Sequence, residues 1–169
     1  MKKMLMGLMI AGMTAFGAMA ADEVAWPVWL GLNDVEDVDI VGLRFNLYNG
    51  HVDQMTGLDL GFAGHAVNFY GLQLNLIRNE ATDVLAGIQV GCYNSAGRSD
   101  MLGVQAGLWN ESGSMYGVQA GLVNLADYSE GFQVGLINRT EGMHGYQIGL
   151  INIIRDSQVP FCPILNVGF

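Results

Sequence analysis

Residues that commonly carry catalysis or bind metals are few in this chain, and they lie far apart in its 169 residues. The histidines are His51, His65 and His144, and no H-x-x-x-H or C-x-x-C spacing occurs, so the sequence predicts no metal site and no cofactor. A nucleophilic serine would need a histidine and an orienting acid beside it. Serines instead fall in turn-like segments, for example at Ser95, Ser99, Ser112, Ser114 and Ser129. We therefore predict that each histidine is a solvated turn residue and that the protein is not an enzyme.

The chain is organised by a repeat, Gly-Φ-Gln-Φ-Gly, in which Φ is an apolar residue. Five tight copies begin at Gly87, Gly103, Gly117, Gly131 and Gly145, and each has an Asn three residues after its second glycine. Looser copies begin near residues 42, 57 and 71, and successive copies are 14 to 16 residues apart. Apolar residues alternate with glycine or polar residues within each copy. This period of two predicts a β-strand in every repeat.

Every repeat has two faces of different chemistry. In the copy that starts at Gly117, one face carries Val118, Ala120 and Leu122, and the other carries the two glycines around a central Gln. In the eight copies this central position is Arg44, Asp59, Gln73, Gln89, Gln105, Gln119, Gln133 and Gln147. A row that holds both charges is unsuited to a dry apolar core, because unpaired buried charge is very costly. We therefore predict a structural polar row that is hydrogen-bonded as a scaffold, with the Arg and the Asp paired across neighbouring strands.

Two all-β architectures fit this pattern. The first is an antiparallel up-and-down meander closed into a small barrel of about ten strands. These strands would be one near residues 29–32, the eight repeats and one at the C-terminus. The motif core reads the same from either end, so it suits strands of either direction. In a barrel the apolar face would meet lipid and the polar row would fill the interior. The alternative is a β-solenoid of 14-residue coils, in which the recurrent Asn at 49, 94, 110, 124, 138 and 152 would stack as a ladder. Because so small a coil suits a bulky apolar face poorly, the barrel is the preferred prediction.

The C-terminal nine residues also favour the barrel. If this segment is extended, Phe161, Leu165, Val167 and Phe169 share one face, and the last residue is aromatic. The segment resembles the C-terminal assembly signal of bacterial outer-membrane β-barrel proteins, although Pro163 cannot donate to a strand ladder. The GVQxGLxN blocks, over about residues 40–169, also resemble a family of bacterial surface-repeat proteins. That resemblance implies an envelope or surface location and no established activity.

The N-terminus predicts export. Residues 1–20 consist of a basic start, a short apolar stretch and Ala18-Met19-Ala20, the pattern of a secretory signal peptide. Residues 21–169 are then predicted to form a single repeat-built β domain. After cleavage, five arginines against sixteen acidic residues give a net charge of −11, which argues against nucleic acid as a partner. We predict a non-catalytic protein of the Gram-negative envelope. It would be a small outer-membrane barrel with a filled interior, whose partners are outer-membrane lipid and the barrel-assembly machinery, or else a periplasmic or secreted solenoid that serves as a binding or adhesion module.

Overall fold

A computed structural model describes residues 28–31, 39–47, 50–97 and 100–169, and within them every regular element is a β-strand. The strands are β1 (Val28–Gly31), β2 (Asp39–Asn46), β3 (Gly50–Ser95), β4 (Asp100–Ile154) and β5 (Phe161–Gly168). These described residues hold no helix that is long and apolar enough to cross a bilayer. The predicted signal peptide, residues 1–20, and Asn49 lie outside the described residues. The prediction of an all-β fold is confirmed.

Strands β1 to β4 pair in parallel and follow chain order in one sheet. Gly42 of β2 lies beside Gly57 of β3, and Gly87 of β3 lies beside Gly103 of β4. Each position therefore pairs with the same position one repeat along the chain, and each repeat forms one coil of a β-solenoid. The prediction of an antiparallel barrel was wrong, and the alternative of a β-solenoid is confirmed.

The path of the chain between repeats explains why the barrel does not form. A barrel needs tight turns there that reverse the chain, but the residues between motif copies stay extended within β3 and β4. The chain instead winds round without reversing and comes to lie beside its previous coil in the same direction, so β3 and β4 each contain several repeats. The palindromic motif core is compatible with parallel and antiparallel neighbours alike, and it does not specify the direction.

The interior of the solenoid contains polar and apolar rows. The polar row faces inward, and all eight of its side chains, from Arg44 to Gln147, are fully buried. A largely apolar row that was not identified from the sequence lies two residues before each first glycine. Its members are Ile40, Met55, Phe69, Leu85, Met101, Met115, Ser129 and Met143, and all are buried. The first six of them pack with small residues such as Ala66 and Ala126 as the hydrophobic core.

The two glycines of the motif let neighbouring coils approach closely. The first glycine has a positive φ in every copy, for example 144° at Gly117, and residues with a side chain rarely adopt that conformation. At the second glycine, a Cβ on Gly121 would lie 2.2 Å from the carbonyl oxygen of Gly107 and 2.6 Å from Nδ2 of Asn110. A side chain at either position would push the coils apart, so the motif both begins and ends with glycine.

Strand β5 covers the C-terminal end of the solenoid. It pairs antiparallel with the last coil of β4, where Gly168 lies beside Gly145, and a register shift interrupts the pairing near Ile164, whose φ is 73°. The last coil of a solenoid needs such a cap, because its outer edge would otherwise stay unpaired. The residues of the predicted assembly signal lie in or directly after this cap strand, with Phe161, Leu165 and Phe169 exposed and Val167 half-buried.

Candidate functional site

The polar row forms a ladder of side-chain amides along the solenoid axis, which we call the Gln ladder. From Gln89 to Gln147, each Gln donates from Nε2 to Oε1 of the Gln one coil earlier, at 2.8–2.9 Å. Most of these Nε2 atoms also donate to a backbone carbonyl of their own coil, as Gln105 does to Glu111 at 3.2 Å. Because every Gln of the ladder donates to a partner, a polar interior is stable here.

An Asn ladder runs beside the Gln ladder and has the opposite polarity. From Asn79 to Asn138, each Asn donates from Nδ2 to Oδ1 of the Asn one coil later, at 2.7–2.8 Å. Each Nδ2 also donates to a backbone carbonyl of that next coil, as Asn110 does to Ala120 at 3.0 Å. The Gln ladder therefore donates toward the N-terminus of the chain, and the Asn ladder donates toward the C-terminus.

The Gln ladder ends in a buried ion pair at the N-terminal coils. Nε and Nη2 of Arg44 donate to the two carboxylate oxygens of Asp59 at 3.0 and 2.7 Å, and both side chains are fully buried. The same carboxylate accepts hydrogen bonds from Gln73 and Asn75 at 3.0 Å each, and a further one from Asn46. The structure thus brings the two residues that were predicted to pair into direct contact. Since the whole polar row is inaccessible, it holds the coils together and offers no surface to a ligand.

Two of the three histidines meet on neighbouring coils, so the expectation that all lie far apart in solvated turns was wrong. His51 and His65 are one repeat step apart, and they contact each other through their Nδ1 atoms, with ring centroids 4.2 Å apart. Burial lowers the pKa of His65, and the Glu80 carboxylate opposes that change. Neutral rings allow one Nδ1–H to donate to the other Nδ1. His144 lies elsewhere, 3.0 Å from the hydroxyl of Tyr128, and the described ranges contain no group of three possible metal ligands.

One outer side of the solenoid consists only of apolar and aromatic residues, and we call it the apolar face. It is formed by the side chains one, three and five positions after the first glycine of each repeat, and none of these three rows in the eight copies contains a charge. Several are well exposed, with values of 63% for Leu76, 55% for Leu108 and 65% for Leu150. The barrel interpretation expected these rows to point outward to lipid. They point outward in the solenoid too, because the narrow interior accommodates the glycine and Gln side of the strand.

A shallow groove crosses the apolar face where two of its residues are small. Cys92, which has a free and exposed thiol, stands where the other copies have Leu or Phe, and Ala106 stands where most copies have a larger residue. The groove has a volume of about 510 Å³. Its side-chain lining includes Leu74, Leu76, Val90, Cys92, Ala106 and Leu108. The groove is therefore centred on the fourth and fifth of the eight coils, near the middle of the face.

The last three coils of the same face carry exposed leucines, as the first and third coils do with Leu47 and Leu76. Leu122, Leu136 and Leu150 lie in one row on successive coils and are exposed, and we call them the leucine ridge. Beside this row, the rings of Phe132 and Tyr146 stack with centroids 5.5 Å apart. The groove thus lies between coils that carry exposed leucines on either side.

The charged side chains of the described coils lie away from the apolar face. Glu111, Asp127, Arg139 and Glu141 line a separate polar groove. Arg139 and Arg155 both bind Glu141, at 3.1 and 2.9 Å, so the arginines there are already engaged with acidic partners. The surface is therefore divided into one uncharged side and other sides that carry the charge.

Known proteins give no further guide to this surface. A comparison of the chain with protein-family models, with curated proteins and with solved structures finds no match. The resemblance of the GVQxGLxN blocks to surface-repeat proteins stays an expectation from the sequence. The function is accordingly inferred from the geometry and the chemistry of the apolar face.

Proposed function

We propose that this protein is an exported, non-catalytic β-solenoid of the bacterial envelope that acts as a binding or adhesion module through its apolar face. The observation that carries the proposal is the set of three uncharged, outward-facing rows along a chain whose net charge is −9. Export follows from the signal-peptide pattern of residues 1–20. The inward polar side chains support a structural role for the interior, because they are buried in the ladders and the ion pair.

The size of the apolar face supports a binding role. Eight coils at about 4.8 Å spacing, with five to six residues at about 3.3 Å each, give an area of roughly 600 Å². The adjoining outward row widens the face further with Ile77, Trp109, Ile137 and Ile151, all exposed. The largest apolar patch of an ordinary monomer is about 300–600 Å² and is often functional. A face at or above that limit is stabilised when a partner covers it.

In-cell photo-crosslinking tests the proposal. A photoreactive phenylalanine analogue in place of Leu122, a residue that is 48% exposed on the apolar face, should form covalent adducts in living bacteria. The matched control replaces Leu102, which is 52% exposed but lies outside the three rows, and it should give few adducts. Adducts that are absent at both positions, or equal at both, would contradict binding through this face. Recovery of the unprocessed chain from the cytoplasm would contradict export.

A further inference from the structure

We propose that the occupant of the apolar face is a second copy of this chain, packed face to face with the first. This inference rests on the proposed function, since it names the partner of the same surface. In an isologous dimer each copy contributes the same patch, and residue i of one copy meets residue j of the other and the reverse. The partner must therefore offer a flat, uncharged β-sheet surface of equal size, and the apolar face meets that requirement itself.

The area fits a dimer. Two faces of roughly 600 Å² bury about 1,200 Å² together, which reaches the range of specific, stable interfaces, and the adjoining row of Ile77, Trp109, Ile137 and Ile151 adds to it. Two β-sheets pack face to face at about 10 Å when their side chains interdigitate. A dimer of this kind would convert two exposed outer sides into one sandwich core.

The relief of the face places its groove at the middle of such a dimer. The groove at Cys92 and Ala106 is centred on the fourth and fifth of the eight coils, and coils on both sides of it carry exposed leucines. When two whole faces overlap, the middle coils of one copy lie over the middle coils of the other. The groove of each copy is then enclosed within the interface, and the Cys92 thiol is covered.

Charge and chain ends favour a second copy over a bilayer. The chain has no lysine after Lys3 and a net charge of −9, whereas docking on anionic lipid needs basic residues. Face-to-face packing instead keeps the acidic sides of both copies pointing outward, away from each other. End-to-end stacking is disfavoured by the cap, because Pro163 cannot donate to an added strand and the bulge at Ile164 interrupts the edge.

The mass of the full chain in detergent-free solution tests the inference. Sedimentation and light scattering should give twice the chain mass at micromolar concentrations. Leu122→Glu should raise the dimer dissociation constant by roughly 100-fold or more, because each of the two copies would bury an unpaired carboxylate. The matched control Leu102→Glu should stay dimeric, and circular dichroism should show the same strand signal in all three proteins. A monomeric wild type up to submillimolar concentration, or equal weakening by both substitutions, would overturn the inference.

Access to the Cys92 thiol gives a second test, because the middle of the face is covered in the dimer. Alkylation of the Cys92 thiol should be slow in the dimer and fast in the Leu122→Glu protein. Equal alkylation rates in the two proteins would overturn the inference.

The photo-crosslinking described above separates the two proposals. Adducts at Leu122 with twice the chain mass support both of them. Adducts of another mass, together with a monomeric purified chain, overturn self-association and leave the binding module standing. If no adducts form, both proposals fail.

Discussion

The ion pair between Arg44 and Asp59 gives the sharpest test of how this interior is stabilised. Six of the eight coils have Gln at this position, and only these two coils have charges. Replacing both residues with Gln would make the ladder uniform, whereas replacing one would leave a buried charge without its partner. The stability of the double variant compared with the single variants therefore measures how strongly the two side chains are coupled.

The hydrogen bonds set the expected magnitudes. In Asp59→Gln, the Arg44 guanidinium loses its carboxylate and keeps one bond, to the carbonyl of His65 at 3.2 Å. Removing one member of a buried ion pair costs about 3–5 kcal/mol, and we expect a loss of stability in that range. In Arg44→Gln the carboxylate still accepts amide hydrogens from Gln73 and Asn75, so the loss should be smaller, about 1–3 kcal/mol.

The double variant should recover most of the loss. The two introduced glutamine side chains could bond to each other as neighbouring glutamines do in the other coils, but a single amide oxygen replaces two carboxylate oxygens. One of the amide donors that now reach Asp59, from Asn46 or Asn75, would then lack an acceptor, which costs about 1–3 kcal/mol. The double variant should therefore be more stable than Asp59→Gln alone, although it carries one more substitution.

Equilibrium urea unfolding followed by circular dichroism measures these differences. The slope against urea must be compared as well as the midpoint, because the end coils of a solenoid can unfold separately. Arg78→Gln is the matched control, since Arg78 forms an ion pair with Glu80 at the surface, and its loss should cost less than about 1 kcal/mol. The reasoning would be refuted if the double variant were less stable than Asp59→Gln, or if Asp59→Gln cost no more than the surface control.

Two further predictions concern a glycine and a histidine. Gly121→Ala should lower the free energy of unfolding by about 1–3 kcal/mol, as overpacked core substitutions do, because its Cβ would overlap the Gly107 carbonyl and Asn110. The control Gly142→Ala, whose Cβ would lie 3.3 Å from a tyrosine ring, should have little effect. Equal urea midpoints for the two variants would contradict the close-approach explanation. Burial lowers the pKa of His65 below its ordinary 6.5, so the unfolded chain binds that proton more tightly and the free energy of unfolding should fall as pH drops through 6.5. His65→Gln should flatten this pH dependence. If the free energy of unfolding from urea titrations falls equally in both proteins between neutral and mildly acidic pH, His65 is not the responsible group.

Much of the interior could be predicted from residue types, because a strand has only two faces. The motif places Gly and Gln on one face, and a position that accepts Arg44 and Asp59 has to lie in a polar network. Both inferences depend on side-chain alternation, which does not change between parallel and antiparallel pairing. The contact between the two charges follows in the same way, because their positions are one repeat apart.

The direction of the strands could not be read from the motif core, because Gly-Φ-Gln-Φ-Gly is the same from either end. The information on strand direction lies outside this core. The Asn after the second glycine stacks on its own copies only when every coil runs the same way, and His51 and His65 are separated by one repeat step. The buried row two residues before the first glycine was missed because its members differ in type, from Ile40 and Phe69 to Ser129, and only their common spacing identifies them.

The opposite polarity of the two amide ladders affects the electrostatics of the whole solenoid. Each side-chain amide has a dipole similar to that of a peptide group, about 3.5 D, and a single aligned column would sum these dipoles from end to end as an α-helix does. The Gln column points one way along the axis and the Asn column points the other, so their dipoles largely cancel in the six coils that hold both. Adding or removing one repeat then leaves the axial field nearly unchanged. The ladder dipoles therefore place no limit on the number of repeats, and β5 ends the stack at its C-terminal side.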